Sequence, residues 1–247
     1  MVVSALRGAL GFLTTLPVRV DERTWAAFRR RPVATMLAGY VVGGVAAVPP
    51  LYAPSAPLGA FGFVLAVYLM TGINHVDGLT DVADAVAVHG TESDRVAAMR
   101  DSHLGVGGLL AGGLVVLGLF AVGWELTAMG RGAVGVIVAA EVAAKLGMVL
   151  VLVRGVPRHE GLGSALAEHA SLGTLALGTV LALPAAAITW PSPAGAVALT
   201  PGLLAAVAVC RLSNSRIGGI SGDVLGATNE VARLAALLAG VIAWTLW

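Results

Sequence analysis

The sequence predicts an all-α polytopic membrane protein with about seven transmembrane helices, preceded by an amphipathic helix lying on the membrane surface. Three observations carry that expectation. Hydrophobic residues make up 57% of the 247-residue chain and charged residues only 12%, about half the ~25% of a soluble domain. The apolar character, with a mean hydropathy of +0.89, runs from end to end instead of sitting in a removable presequence. The charges that remain gather on one side of the apolar stretches. Residues 1–247 therefore read as a single integral membrane domain.

Residues 1–20 read as an interfacial helix ending near Pro17. A membrane-spanning helix needs ~20 mainly apolar residues. Stretches of that kind lie at about 33–52, 57–75, 105–127, 132–153, 172–190, 194–210 and 231–247. Pro49-Pro50 closes the first, and Pro191-Ser192-Pro193 parts the fifth from the sixth. The sixth is short, which leaves six spans as the alternative count.

Loop charges set the orientation. Arg7, Arg19, Arg23, Arg29, Arg30, Arg31, Arg95, Arg100, Arg154, Arg158, Arg211, Arg216 and Arg233 fall on one side, Arg131 alone on the other, and Lys145 inside a span. The positive-inside rule makes the crowded side cytoplasmic, with the N-terminus inside and the C-terminus outside the cell (inner) membrane. All five histidines, and every acid except Glu125 and Glu141, share that side. Such a partition suits an enzyme with a cytoplasmic site; a cation transporter, the rival class, would spread polar groups through its spans. A net charge of +1 gives no basic excess for nucleic acid, and the single Cys210, in an apolar run, excludes an internal disulfide.

The chemistry concentrates in a cytoplasmic acidic two-helix segment, residues 75–103, with helical stretches at about 77–88 and 92–102 joined at His89-Gly90. Asp77, Asp81 and Asp84 stand at i, i+4 and i+7, hence on one narrow face. No Lys or Arg lies within residues 75–94 to offset them. A divalent cation would, and oxygen-only donors favour Mg²⁺ or Mn²⁺ over zinc. The plainer reading is the wet face of a surface helix. If the two stretches pack antiparallel, Asp101 returns beside Asp77 as a fourth ligand; otherwise it partners Arg100 or Arg95.

HVDGLTDVAD (75–84) and MRDSHLGVGG (99–108) resemble the signatures of the cobalamin synthases, the adenosylcobinamide-GDP ribazoletransferases. FLTTLPV (12–18), RHEGLG (158–163) and GGISGDVLGATNE (218–230) continue the resemblance in order over almost the whole chain. The family pattern has glycine after the last aspartate of its first motif, where this chain has Ala85. The resemblance implies that a ribose hydroxyl of α-ribazole, or of its 5′-phosphate, attacks the phosphoryl group linking cobinamide to GMP, with Mg²⁺ required. It also implies small-molecule substrates, lipid contact, no nucleic acid, and either a homo-oligomer or association with other cobalamin-assembly enzymes as open partner states. Asp77, Asp101 and His75 are then the candidate catalytic residues, and Asp77, Asp81, Asp84 and Asp101 the metal ligands.

The acidic face is also similar to that of CDP-alcohol phosphotransferases acting on lipids, but the Ala-Arg and second aspartate pair of that motif are missing. Substrate-binding candidates are Arg100, Lys145, Arg158, Glu160, Arg216 and Asp223. Arg158 can bind pyrophosphate or simply obey the positive-inside rule. Lys145 either neutralises Glu141 one turn away or reaches substrate phosphate. The glycines around Asp223 suit a turn whose amides face an anion, with Arg216 adding charge.

Overall fold

The computed structural model describes residues 2–157 and 161–247. Helices α1 (Val2–Leu13) and α2 (Glu22–Arg29) open the fold. They pack closely because Gly8 has no side chain; a Cβ there would lie 2.5 Å from the Thr24 carbonyl oxygen. α2 adds to the predicted elements, and its signal is a capping box: the Asp21 carboxylate accepts from the Thr24 amide at 2.8 Å, and the Thr24 hydroxyl accepts from the Asp21 amide at 2.8 Å. Phe12, Trp25 and Phe28 fill the angle between the helices, with ring centroids 5.4–6.0 Å apart.

There follow α3 (Thr35–Ala46), α4 (Val48–Tyr52), α5 (Ala56–Thr71), α6 (Asn74–Ala87), α7 (Glu92–Met99), α8 (Val106–Met129), α9 (Gly132–Arg154), α10 (Leu162–Ala167), α11 (Leu172–Ala187), α12 (Ala194–Arg216) and α13 (Gly222–Leu246). Among the described residues the only strand-like pairing is an isolated bridge between Pro157 and Ile220. Among the described residues, five helical stretches are long and apolar enough to cross a membrane: Pro32–Tyr52, α8, α9, α12 and α13. A sixth counts if α5 and α6, bent 93° at their junction, form one broken span. Gly72 makes that bend at φ 67, a backbone angle that favours glycine. The predicted count of about seven treated α5 and α11 as full spans. Each has 16 residues, roughly 24 Å of helix against a core of ~30 Å.

α9 forms the centre and packs against α3, α11, α12 and α13. Apart from Glu141 and Lys145 it is apolar around its circumference, as a helix enclosed by others tends to be. Small residues set the spacing: a Cβ on Gly43 would lie 2.8 Å from Val138 Cα, and one on Gly202 2.9 Å from Ala143 Cβ. Gly59 meets Thr127, Gly132 meets Trp244, and Gly135 meets Thr189. These contacts bring the turns near 53–55, 130–131 and 190–193 and the C-terminus to one end of the bundle. At the other end lie α6, α7, the α1–α2 pair and the turn at 217–221.

Two predicted boundaries are corrected: the sixth stretch, expected to be short at 194–210, runs over 23 residues to Arg216, and the last starts earlier than expected. The last span begins at Gly222, not near 231. Asp223, Asn229, Glu230 and Arg233 made its first half look like a cytoplasmic loop. Arg233, counted among the loop charges, is fully buried.

Candidate active site

α6 and the start of α13 cross so closely that only glycine fits between them. A Cβ on Gly78 would lie 2.7 Å from Asp223 Cα, and one on Gly226 would lie 3.0 Å from the His75 carbonyl oxygen. Of the glycines at residues 218–226, Gly226 serves this crossing, whereas Gly218 turns the chain at φ 84 and Gly222 is open, so the expected anion-facing loop shrinks to the turn at 217–221. Ser221 caps α13, accepting from the Val224 amide at 3.3 Å and donating to Asp223 at 3.1 Å. The crossing sets Asp223 beside the acidic face of α6.

Asp77 and Asp81 look into a cavity of ≈ 370 Å³ that Thr80, Arg100, Asp101 and His103 also line. The expected antiparallel return of Asp101 toward Asp77 thus occurs. The predicted Arg100 or Arg95 partner does not: Asp101 accepts from the His103 amide at 3.0 Å and contacts its Nδ1 at 2.7 Å. These bonds hold the Asp101 carboxyl below its usual range. Arg95 instead donates to the Val88 carbonyl at 3.3 Å.

Asp84 takes a different position from its two neighbours on the face. Its carboxylate accepts from the amides of Gly105 and Gly108, both at 2.8 Å, and so satisfies the orphan donors at the start of α8. Side chains at Gly105 and Gly108 would collide with it, which explains the glycines of LGVGG. Ala85, where the family pattern has glycine, is fully buried in the hydrophobic core.

The donor set suits a hard divalent cation. Asp77, Asp81 and Asp101 are oxygen donors facing one cavity, and Asp223 shares a second cavity with Asp77. Burial, then the charges of Asp77, Asp223 and Asp84, push Asp81 up to about 6, a potential that bound Mg²⁺ would relieve. As the side chains stand, no three His, Cys, Asp or Glu groups among the described residues are close enough to hold an ion.

A second cavity, of ≈ 260 Å³, opens on the other side of Asp77. Phe12, Leu13, Phe28, Met148, Leu152, Leu166 and Leu225 form its apolar wall, and Asn74, His75, Asp77, Gly222 and Asp223 reach it as well. Its wall gives FLTTLPV a role: Phe12 and Leu13 line it, and the Thr15 amide donates to the Met70 carbonyl at 2.8 Å, pinning the segment to the end of α5. His75 is only 8% exposed, and no hydrogen bond reaches its buried Nδ1 among the described residues.

Lys145 lines neither cavity. It is fully buried, donating to Asn229 Oδ1 at 2.5 Å and lying 3.7 Å from Glu141. Arg233 completes the group, bonding Glu141 through Nε and Glu230 through Nη1 at 2.6 Å. Tyr68 donates to Glu230 at 3.4 Å. The expected Glu141–Lys145 pair is thus half of a neutral four-charge cluster. The Glu230 to Arg233 spacing of i, i+3 was its signal in the sequence. Arg216 is exposed at the end of α12 and lines neither cavity. The candidates Arg158 and Glu160 lie outside the described residues.

Residues 5–241 match the family model described as cobalamin-5-phosphate synthase. The chain is 49% identical to an adenosylcobinamide-GDP ribazoletransferase of Halorubrum lacusprofundi, over 99% of each chain. It is 40% identical to the protein of that name from Haloquadratum walsbyi over the full length of both. To the one from Thermococcus gammatolerans it is 34% identical, over 97% of this chain and 98% of the relative. No solved structure matches.

Proposed function

The chain belongs to the cobalamin-5-phosphate synthase family, and on that premise we propose that it joins adenosylcobinamide-GDP to α-ribazole, or to α-ribazole 5′-phosphate, on the cytoplasmic face of the cell membrane. The observation that carries this reading is the acidic face of α6, where Asp77 shares one cavity with Asp81 and Asp101 and a second with Asp223.

The ribose hydroxyl oxygen attacks the phosphorus bonded to cobinamide. A new O–P bond forms as the bridging P–O bond to GMP breaks, and GMP leaves with the bridging oxygen. The hydroxyl proton passes to a carboxylate. Asp77 is the best-placed acceptor, because it borders both cavities. Arg100, in the wall of the acidic cavity, can hold the pyrophosphate with its planar fork of donors. Asp77 and Asp81, with Asp101 or Asp223, would hold Mg²⁺ or Mn²⁺, which when bound neutralises charge on the transferred group. Asp84 acts at one remove, fastening the start of α8 to α6.

The test is turnover by the purified protein in detergent or lipid vesicles. Adenosylcobinamide-GDP and α-ribazole should yield adenosylcobalamin and GMP in equal amounts, in a reaction that stops on chelation of divalent cations. Asp77→Asn should lower kcat at least a hundredfold while the protein remains folded. Turnover that survives chelation would remove the metal from this reading, and the absence of product would remove the reading itself.

A further inference from the structure

We propose that the ≈ 260 Å³ cavity beneath α1 seats the heteroaromatic base of the acceptor nucleoside, and that the His75 imidazole in its wall recognises the base. The proposal rests on the transfer reaction argued above and assigns the second cavity within it.

Size and wall chemistry select the occupant. The cavity falls below the ~300–1,000 Å³ of sites for drug-sized ligands, which excludes a corrin macrocycle. Its wall joins apolar side chains, among them Phe28, Met148 and Leu166, almost wholly buried, to the polar groups of Asn74, His75, Asp77 and Asp223. The two buried threonines offer no free donor, since Thr35 donates to the Pro32 carbonyl and Thr71 to the Val67 carbonyl, both at 2.9 Å. His75 is left as the buried side chain of the wall whose Nδ1 has no partner among the described residues. A buried side chain left without a partner fits a base that presents one hydrogen-bonding atom, while Asn74, Asp77 and Asp223 are left to the sugar. A benzimidazole has a flat hydrocarbon body and a single free nitrogen once its partner carries the sugar.

Position agrees with chemistry. The polar residues Asn74, Asp77 and Asp223 also reach this cavity, and Asp77 borders the acidic cavity as well. A base held against Phe28 and His75 therefore sets its ribose beside Asp77, where the hydroxyl meets the phosphoryl group. One cavity takes the acceptor, the other takes the donor's pyrophosphate, and the proton-accepting carboxylate stands between them.

The experiment measures steady-state kinetics of the full chain in detergent with two acceptors: α-ribazole, and the matching dimethylindole riboside, in which a C–H replaces the free ring nitrogen. Both carry the same ribose hydroxyl. Wild-type protein should prefer α-ribazole by about tenfold in kcat/KM, the effect of one buried hydrogen bond. His75→Phe should raise KM for α-ribazole about tenfold, leave KM for adenosylcobinamide-GDP unchanged, and erase the preference.

Gly222→Phe is the second variant. Gly222 lines the cavity, and a Cβ there meets nothing within 4 Å, so it should raise the acceptor KM alone with thermal stability retained. Equal use of both acceptors by wild-type protein overturns the proposal even if His75→Phe fails to fold. A rise in KM for adenosylcobinamide-GDP in place of the acceptor also overturns it. Wild-type protein that turns over neither acceptor overturns the parent reaction, and this assignment with it.

Discussion

Replacing Lys145 with methionine should destabilise the protein severely, and adding Glu141→Gln should restore most of the loss. Lys145, Arg233, Glu141 and Glu230 are all 0–1% exposed and together are neutral. Lys145→Met leaves one buried carboxylate uncompensated, at a cost of about 3–5 kcal/mol. For a chain of this size ~1 kcal/mol moves the unfolding midpoint by ~2–4 °C, so a fall on the order of 10 °C is expected. Glu141→Gln alone leaves an unpaired cation and should cost about as much. The double variant is neutral again, and Glu230 still holds Arg233 at 2.6 Å. It loses the Lys145–Asn229 hydrogen bond, leaving a deficit of about 1–3 kcal/mol. The assay is thermal unfolding of the four proteins in detergent, followed by tryptophan fluorescence, together with KM for adenosylcobinamide-GDP. Additive losses in the double-mutant cycle would refute the charge-balance argument. A double variant that recovers its stability but keeps a raised KM would put Lys145 on the substrate, against its burial.

Asp84→Asn should lower the midpoint by several degrees, because an amide can accept only one of the two α8 bonds; unchanged stability would return Asp84 to the metal ligands. Gly78→Ala forces α6 off the Asp223 backbone and should cost about 1–3 kcal/mol along with activity; a neutral effect on both would contradict the crossing as the frame of the site. Mn²⁺ binding, followed by electron paramagnetic resonance, should weaken as pH falls through about 6, where Asp81 takes up its proton and loses its charge. In Asp81→Asn that window should vanish, and a shared profile would show that Asp81 does not govern the cation. Cysteines replacing Ser55 and Arg131 should react with impermeant reagents on whole cells, and one replacing Ser93 only after permeabilisation. Buried Cys210 adds no background. Labelling of Ser93→Cys from outside would invert the orientation.

The sequence by itself determined the membrane class, the helical content and the family. Those follow from quantities carried by consecutive residues: run length, hydropathy and motif order. It also placed Asp77, Asp81 and Asp84 on one face, since helix periodicity needs only spacing. Jobs assigned between segments distant in the chain were a tertiary decision. Asp84 caps α8 because Gly105 and Gly108 lie against it, whereas Asp77 and Asp81, on the same face, stay open to the cavity. Glu141 and Lys145 looked like a local pair, yet Arg233 and Asn229 from α13 complete their charge and hydrogen bonds. That same burial concealed the first half of α13: polar residues read as a loop when their partners are unknown, and as membrane helix once those partners neutralise them. The cavity beneath α1 was invisible for the same reason, since Phe12, Phe28, His75 and Leu166 share a wall only after four segments have packed.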